Sequence, residues 1–429
     1  MTHNNTATFI QAFRESSPYI NMHRGKTMVI LLDGYCLQSE KLTQTVYDIA
    51  LLHSLGIKIA LVLGTRALID QALEAAGVDS ELHLNKRITT ARILEIAKRV
   101  SGRFRFELEA LFSAALPNTP MQGSDIQMVS GNFITAKPLG IIEGKDYQFT
   151  GQVRKVDATP ITQQLDNNAI VLLSNIGFSV TGECFNVAAE NVATAVAKTL
   201  HADKFIILSQ QQEVDALPKE LTLSQAQQLN TPSYNLSCLM KACEQGIKRC
   251  HIVSVEQDGA LLSELFTTDG SGIMLSQDSF EAIHIAENKD IGGIMQLLQP
   301  LEEAGQLVKR DRELLEQEIE HFIVIERDNK VIACSALYPY EGANTRMAEV
   351  ACVATDSHYQ GGQRASKMLR FLEKKAKNEG IKQVFVLTTQ TAHFFLEQGF
   401  TEASVDHLPS RKRDLYNFQR GSKVFIKNV

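Results

Sequence analysis

The sequence predicts an α/β protein in which a three-layer domain with a mostly parallel sheet precedes an α+β domain. The chain has 429 residues, which is more than one domain of about 150 residues needs. Apolar strands alternate with amphipathic helices from Lys26 to about Leu275, and a second, more strand-rich pattern follows. Since 44% of the residues are hydrophobic and 21% are charged, disordered and fibrous classes are excluded.

The first 24 residues predict an amphipathic helical arm. Phe9, Ile10 and Phe13 recur at helical spacing, and few basic residues accompany them, which favours packing on a neighbouring subunit or lobe over a membrane. The segment MTHNNTATFIQAFRE also lacks the basic start and apolar run of a signal peptide. No stretch of 18 apolar residues exists, so we expect a cytoplasmic protein with no membrane contact.

Residues 25–280 predict the three-layer domain. Its strands are expected in KTMVILLDG, IKIALVLG, NAIVLLSNIG, DKFIILS and RCHIVSV, and helical patterns such as YDIALLHSLG, 66–76 and 190–200 lie between them. The segment 126–156 differs, because short alternating runs are separated by Gly and Pro. We expect it to form a hairpin excursion over a site.

Residues 287–429 predict the second domain. Helical periodicity is expected at 290–304, 311–320, 363–379 and 391–398. Strands are expected at 321–326, 330–338, 346–354, 382–388 and 423–427.

Charge and composition exclude several functions. The net charge of −6 gives no basic excess to hold a nucleic acid. The basic residues of 411–427, interleaved with Tyr416 and Phe418, therefore fit a solvated tail or a receptor for an acidic substrate better than a nucleic-acid contact. The seven cysteines form no C-x-x-C pair, which favours reduced thiols, and the eleven histidines are scattered, so we expect no metal.

A glycine-containing turn joins the strand at 346–354 to the helix at 363–379. Successive backbone N–H groups at the start of a helix bind anions such as pyrophosphate, which makes this turn a candidate phosphate site. Its residues are Gln360, Gly361, Gly362, Gln363, Arg364 and Ala365.

The turn resembles the acetyl-CoA motif Q/R-x-x-G-x-G/A of the GNAT N-acetyltransferases. Gln360 and Ala365 fit its ends, whereas Gln363 stands where the middle glycine is usual. Across the chain, HRGKT, VSGNFI, DGALLSELF, EVACVA, VFVLTT and YNFQRGSK resemble the bacterial N-acetylglutamate synthase family of the two-domain type. The resemblance implies a regulatory amino acid kinase-like domain at 25–280, and a GNAT domain at 287–429 that acetylates L-glutamate from acetyl-CoA, the first step of arginine biosynthesis.

The reaction needs a base, because the amine of glutamate is protonated at neutral pH. Glu349 is the candidate, since a carboxylate inside an apolar strand is unusual, although a structural salt bridge would also explain it. The resemblance places Thr388 near the departing sulfur, and Cys352, Val353 and the 360–365 turn at acetyl-CoA. Cys352 raises the alternative of an acetyl-cysteine intermediate. Strict strand alternation puts Glu349 and Cys352 on opposite faces unless a bulge intervenes, so we expect direct attack in a ternary complex.

Glutamate carries two carboxylates, and an arginine guanidinium binds a carboxylate well because it donates two parallel hydrogen bonds. The resemblance points to Arg312, Arg420 and Ser422. In the first domain it implies that His251, Glu264 and the turn at Gly270 bind L-arginine as effector, with Glu264 receiving the guanidinium. It also implies a homo-hexamer.

The first domain lacks residues that a kinase of this type needs. Leu31 stands where the resemblance expects a phosphate-binding lysine, Asp33 replaces a glycine, and Arg66 follows the single glycine Gly64. Two alternatives stay open at this point: an acetylglutamate kinase, which Leu31 opposes, and a non-catalytic arginine sensor, which the imperfect acetyl-CoA turn allows.

Overall fold

The structure, a computed structural model, describes residues 3–114, 119–267, 269–277, 281–327, 330–341, 346–360, 363–389, 391–414, 416 and 421–429. The chain divides into two compact units, Met1–Asp278 and Ser279–Val429. The predicted fold class is confirmed: a layered α/β unit with a mostly parallel sheet precedes an α+β unit.

The N-terminal unit alternates strands and helices along most of its length. Its helices are α1 (His3–His23), α2 (Gly34–Gln38), α3 (Leu42–Ser54), α4 (Arg66–Ala75), α5 (Ala91–Phe112), α6 (Ala158–Asp166), α7 (Ala189–Thr199), α8 (Gln211–Asp215), α9 (Leu223–Gln227), α10 (Tyr234–Glu244) and α11 (Ala260–Phe266). Its strands are β1 (Thr27–Leu32), β2 (Lys58–Leu63), β3 (Leu82–His83), β4 (Lys86–Arg87), β5 (Gln127–Ser130), β6 (Ile134–Pro138), β7 (Ile141–Ile142), β8 (Lys145–Asp146), β9 (Thr150–Val156), β10 (Ala169–Leu173), β11 (Ile176–Phe178), β12 (Cys184–Val187), β13 (Lys204–Ser209), β14 (Glu220–Thr222), β15 (Arg249–Ser254) and β16 (Ile273–Ser276).

An eight-stranded sheet in the order β14-β16-β15-β13-β1-β2-β10-β5 forms the centre of this unit. Neighbouring strands are parallel except for the antiparallel pair β15 and β16. Along β1, Val29 and Leu31 enter one hydrophobic core, and Met28, Ile30 and Leu32 enter the other. A strand that is apolar on both faces is typical of a sheet covered by helices on each side.

The segment 126–156 contains the antiparallel pairings of the predicted hairpin excursion, since β6 pairs with β9 and β7 pairs with β8 between them, and it also joins two larger sheets. Its first strand, β5, joins the edge of the central sheet, whereas β6 and β9 close a four-stranded barrel with β11 and β12. Glycines allow the close approach inside this barrel, because a Cβ on Gly151 would lie 2.5 Å from Cβ of Phe185. The partner strands come from residues 176–187, which local patterning cannot pair with 126–156.

The C-terminal unit is built on one seven-stranded sheet. Its strands are β17 (Ala282–Ile285), β18 (Phe322–Arg327), β19 (Lys330–Glu341), β20 (Arg346–Thr355), β21 (Gln383–Thr388), β22 (Thr401–Ala403) and β23 (Lys423–Asn428). Its helices are α12 (Ile291–Glu303), α13 (Arg312–Glu318), α14 (Arg364–Asn378), α15 (Ala392–Glu397) and α16 (Ser410–Asp414). The sheet order is β17-β18-β19-β20-β21-β23-β22, and β20 and β21 form its single parallel pair.

The two faces of this sheet carry separate cores. Ala348 and Val350 of β20 pack with Leu369 and Leu372 of α14 on one face. On the other face a second core, which includes Cys352, contains residues of α12 and β18. Within the described ranges, no helix has the length and apolarity that crossing a membrane would require.

Candidate active site

Glu349 lies in the middle of β20 and is buried, with 8% of its side chain exposed. Its Oε2 atom accepts a hydrogen bond from Tyr340 Oη at 3.3 Å and lies 2.6 Å from Lys412 Nζ. Burial first, and then the charge of Glu349, raises the pKa of Tyr340, so this phenol stays protonated as a donor. The sequence-predicted base is therefore a buried carboxylate held by one phenol and one ammonium.

A β-bulge changes the geometry of β20 just beyond Glu349. Ala351 pairs with Ala336 and Ala354 pairs with Cys334, so Cys352 and Val353 together oppose the single residue Ser335. Cys352 adopts a left-handed φ of 54°. Val353 packs on the core that contains α14, while Cys352 packs in the other core. The bulge therefore places Cys352 on the same face as Glu349, contrary to the strict alternation expected from the sequence.

The Cys352 thiol is a poor candidate for a nucleophile. Burial raises its pKa to about 11, and the neighbouring charge of Glu349 adds to this effect, although Arg310 acts against it. At neutral pH the side chain is a thiol. Its position beside Glu349 therefore makes it part of the wall of the site.

Arg310 is a basic residue of this site that sequence reasoning did not single out. Burial opposes its charge, but Cys352, Tyr338 and Glu318 around it hold the pKa of the guanidinium above its ordinary value. Tyr338 Oη donates a hydrogen bond to Glu318 Oε2 at 2.6 Å. A guanidinium, two phenols and an ammonium thus surround Glu349 and Cys352 on one face of the sheet.

The strands β20 and β21 separate next to Glu349. The two strands pair with each other from the pair Met347–Gln383 to the pair Glu349–Phe385. Within the described residues beyond Glu349, β20 pairs only with β19, and β21 pairs only with β23. Two parallel strands that diverge leave backbone groups facing a gap. The gap opens towards the carboxyl ends of both strands, where α14 follows β20.

The first turn of α14 begins without a side-chain cap. Gln363 precedes the helix with a left-handed φ of 56° and makes no side-chain cap hydrogen bond to it. The first N–H groups of a helix need an external acceptor when no cap is present. Gln363 therefore adopts the conformation that a glycine would favour at this motif position.

The Arg364 side chain is engaged in structure. Its Nε donates to Glu281 Oε1 at 2.7 Å, and Nη1 donates to the carbonyl of Tyr359 at 2.5 Å. These bonds fix the start of α14. If Arg364 contributes to cofactor binding, it therefore does so through its backbone N–H and not through its guanidinium.

The other predicted acetyl-transfer residues have different environments. Thr388 ends β21, and its Oγ1 accepts a hydrogen bond from the Thr391 N–H at 3.0 Å. Ser422 directly precedes β23, whose first residue pairs with Thr388. Arg312 begins α13 with 72% of its side chain exposed and pairs with Glu316 at 2.8 Å. Gly361, Gly362 and Arg420 lie outside the described residues.

The first Gly-rich region of the N-terminal unit holds a carboxylate where a phosphate would bind in a kinase. Asp33 caps α2, because its Oδ1 accepts the Cys36 N–H at 2.8 Å, and its Oδ2 accepts Ser209 Oγ at 2.5 Å. Burial raises the pKa of Asp33. Leu31 is fully buried in the core. An acidic cap and an apolar side chain disfavour binding of a nucleotide phosphate.

The three residues predicted for an arginine site come together in the same unit. His251 Nδ1 donates to Glu264 Oε1 at 2.6 Å, and Glu264 Oε2 accepts the N–H groups of Ser271 and Gly272 at 2.8 and 2.7 Å. A Cβ on Gly270 would lie 2.5 Å from Glu264 Oε2, and its φ of 58° also favours glycine. This turn therefore fits closely around the Glu264 carboxylate.

Lys204 completes this buried group. Its Nζ lies 3.3 Å from His251 Nε2, so the neutral imidazole donates from Nδ1 and accepts at Nε2. Burial first, then Lys204, lowers the pKa of His251 to about 4. Burial first, then Arg249, lowers the pKa of Lys204 to about 7.

One further cluster has donor types that a metal could use. Donor atoms of His284, Asp290 and Glu326 in the described part of the C-terminal unit lie within 4.8 Å of one another. His284 Nε2 is 3.3 Å from Asp290 Oδ2 and 3.8 Å from Glu326 Oε2. These distances also fit two structural histidine–carboxylate contacts, in which Asp290 connects the edge strand β17 to the turn before α12 and Glu326 connects it to β18.

Comparisons with known protein families give a consistent result for both units. Residues 26–254 match the Amino acid kinase family, and residues 292–400 match the Acetyltransferase (GNAT) family. The chain is 44% identical to "Amino-acid acetyltransferase" of Pseudomonas fluorescens (strain SBW25), over 98% of this chain and 99% of the relative. It is 43% identical to the protein of that name from Escherichia coli (strain K12), over 98% of each.

Two solved structures from Neisseria gonorrhoeae resemble the whole chain. One is N-acetylglutamate synthase complexed with coenzyme A and L-arginine, with 32% identity and a TM-score of 0.87. The other is the synthase complexed with coenzyme A and N-acetyl-glutamate, with 34% identity and a TM-score of 0.60. Each match covers 98% of this chain and 99% of the relative.

Proposed function

The chain belongs to the amino-acid acetyltransferase family. From this premise we propose that it transfers the acetyl group of acetyl-CoA to the amine of L-glutamate. The products are N-acetyl-L-glutamate and free CoA. The observation that carries the proposal is the buried Glu349 carboxylate at the point where β20 and β21 separate. The Neisseria gonorrhoeae complex with coenzyme A and N-acetyl-glutamate supports the choice of glutamate as acceptor.

Glu349 acts as the base in this reaction. Its carboxylate takes a proton from the ammonium of glutamate, directly or through water, and the free amine attacks the thioester carbonyl. The tetrahedral intermediate collapses to the amide as the C–S bond breaks, and the second proton lost from the nitrogen balances the proton that the departing CoA thiolate takes up to give free CoA. The Thr388 hydroxyl is our candidate for stabilising this sulfur, and Cys352 stays a thiol throughout, so no acetyl-enzyme forms.

Binding uses positive charge and backbone donors. The uncapped N-terminus of α14, with the turn at 360–365, receives the pyrophosphate of acetyl-CoA, and the bulge at Cys352 and Val353 faces the acetyl end. Arg312, Arg420 and Ser422 receive the carboxylates of glutamate. Moving Arg312 from Glu316 to a substrate costs little, because an exposed ion pair contributes at most about 1 kcal/mol.

The N-terminal unit senses arginine and does not transfer phosphate. L-arginine binds at His251, Glu264 and the turn at Gly270, and thereby controls the rate of acetyl transfer as a feedback signal. The Neisseria gonorrhoeae complex with L-arginine supports this assignment. We also propose a homo-oligomer, a hexamer by resemblance, in which the exposed Phe9 and Phe13 of α1 pack on another copy.

An acceptor panel tests the proposed function. Purified full-length chain is incubated with acetyl-CoA and glutamate, aspartate, glutamine or ornithine, and the products are identified by mass spectrometry. We expect acetylation of glutamate at a rate at least about tenfold above the others. Phosphorylated product in a parallel reaction with ATP and N-acetylglutamate would instead support a kinase.

A further inference from the structure

The ion pair between Lys412 and Glu349 places a primary ammonium at the carboxylate that the acceptor needs. Lys412 lies on α16, and 22% of its side chain is exposed, so it is held inside the site. The α-ammonium of an amino acid has the same charge and the same three donors as the lysine ammonium. Both groups therefore suit the same position at Glu349 Oε2.

We propose that Lys412 occupies the acceptor-ammonium subsite before glutamate binds, and that the displaced Lys412 then binds a carboxylate of the acceptor. This inference rests on the proposed function. It assigns to Lys412 a role that changes during the cycle: a substrate mimic first, and a substrate ligand afterwards.

The charge of Glu349 restricts when Lys412 can leave it. Glu349 is almost fully buried, and a buried carboxylate that loses its cation is strongly destabilised. Lys412 therefore leaves readily only when another cation takes its place. An acceptor ammonium satisfies this condition, whereas water does not, so Glu349 becomes available as a base only when an amine has arrived.

The position of Lys412 on α16 allows its ammonium to move towards an acceptor carboxylate. It belongs to the short helix α16, whose neighbouring Arg411 also acts electrostatically on Tyr340. Ser422, a predicted receptor for an acceptor carboxylate, directly precedes β23, which pairs with β21, the strand beside Glu349. A lysine has a flexible four-carbon stem, and one change of rotamer carries its ammonium several ångströms towards such a carboxylate.

The test uses two fragments of the acceptor, which bind without turnover. Propylammonium carries only the cation, and glutarate carries only the two carboxylates. In Lys412→Met, we expect propylammonium to bind about tenfold more tightly than in the wild type, by calorimetry with CoA present. Glutarate, added with saturating propylammonium so that the cation has displaced Lys412 from Glu349, should bind about tenfold more weakly in Lys412→Met than in the wild type. Lys412→Arg restores glutarate binding, because it keeps the charge.

Arg413→Met is the matched control, since it removes one exposed cation from the same helix. It should leave both affinities unchanged. The affinity for CoA and the thermal midpoint show whether each variant is folded. If Lys412→Met does not fold, Lys412→Gln serves as the second variant. Unchanged or weaker propylammonium binding in the folded variants would overturn the proposal, as would unchanged glutarate binding.

Failure of the proposed function gives a different pattern. If glutamate is not the acceptor, the wild type shows no glutamate-dependent CoA release. The propylammonium arm still tests whether Lys412 blocks an ammonium subsite at Glu349. The identity of the acceptor and the role of Lys412 are therefore tested by separate measurements.

Discussion

Glu349 and Cys352 lie on the same face of β20, because Cys352 begins a bulge in which Cys352 and Val353 together oppose Ser335. This relationship brings a thiol beside the proposed base, which is the arrangement that an acetyl-cysteine mechanism would use. The raised pKa of the thiol, about 11, argues against this mechanism, because the thiol is not ionised at neutral pH. The role of Cys352 is thus open to a simple experiment.

Cys352→Ala should keep kcat within about threefold of the wild type, because the thiol has no part in direct attack. Rapid-quench experiments with labelled acetyl-CoA and no glutamate should find no acetyl group on either protein. A loss of about a thousandfold in a variant that still binds acetyl-CoA would show that the acetyl-enzyme route is correct.

Replacing Gln363 by glycine should stabilise the C-terminal unit. The left-handed backbone at φ 56° costs a non-glycine residue about 1 kcal/mol, and glycine avoids this cost. We expect a higher thermal midpoint and an unchanged KM for acetyl-CoA. Lys374→Gly, in the ordinary helical backbone of α14, is the control and should lower the midpoint. A lower midpoint in Gln363→Gly as well would show that its side chain makes a stabilising contact.

Glu264→Gln should weaken the response to arginine. The neutral amide removes the charge that the guanidinium needs, and its single oxygen replaces the two carboxylate oxygens that accept from His251, Ser271 and Gly272. We expect the arginine concentration for half-maximal effect to rise at least about tenfold, measured against the arginine-free rate of the variant. Glu244→Gln, on an exposed carboxylate, should keep the wild-type response. An unaltered response in Glu264→Gln would place the effector elsewhere.

The N-terminal unit should lose stability as the pH falls from 6.5 towards 4. Burial first, then Lys204, lowers the pKa of His23 to about 4, while its Nε2 donates to the carbonyl of Leu265. In this window the unfolded chain binds a proton that the folded chain does not, so folding becomes less favourable, by at most about 3 kcal/mol for this group.

His23→Gln should therefore flatten the acid side of the stability profile, measured by urea unfolding followed by circular dichroism. The groups that act electrostatically on His23, which are Arg249, Lys204 and the imidazole of His251, remain in the variant. His393→Gln, at an exposed site of the C-terminal unit, should leave the profile unchanged. A parallel pH profile for His23→Gln and the wild type would contradict the assignment.

Local patterns were sufficient to predict the layered fold and the strand–turn–helix unit around Glu349. The apolar run of β1 and the helical periodicity of α14 are properties of neighbouring residues, and they appear at the expected positions. The barrel was not predictable in this way, because β6 and β9 complete it with β11 and β12 from residues 176–187.

The site was only partly predictable for the same physical reason. Glu349 stands out as a carboxylate in an apolar strand, but its partner Lys412 comes from a basic run that fits a solvated tail. The bulge at Cys352 has no glycine to signal it, and the raised pKa of Arg310 depends in part on Tyr338 and Glu318 from other segments. Such relationships arise only when distant segments pack together.

The most direct test of the account compares CoA release by the wild type and by Glu349→Gln, with and without glutamate. Both proteins should bind acetyl-CoA equally. The wild type should release CoA only when glutamate is present, and the variant should be slower by about a hundredfold or more, because an amide cannot take the proton from the amine. Equal rates in the two proteins, or release by the wild type that does not depend on glutamate, would contradict the account.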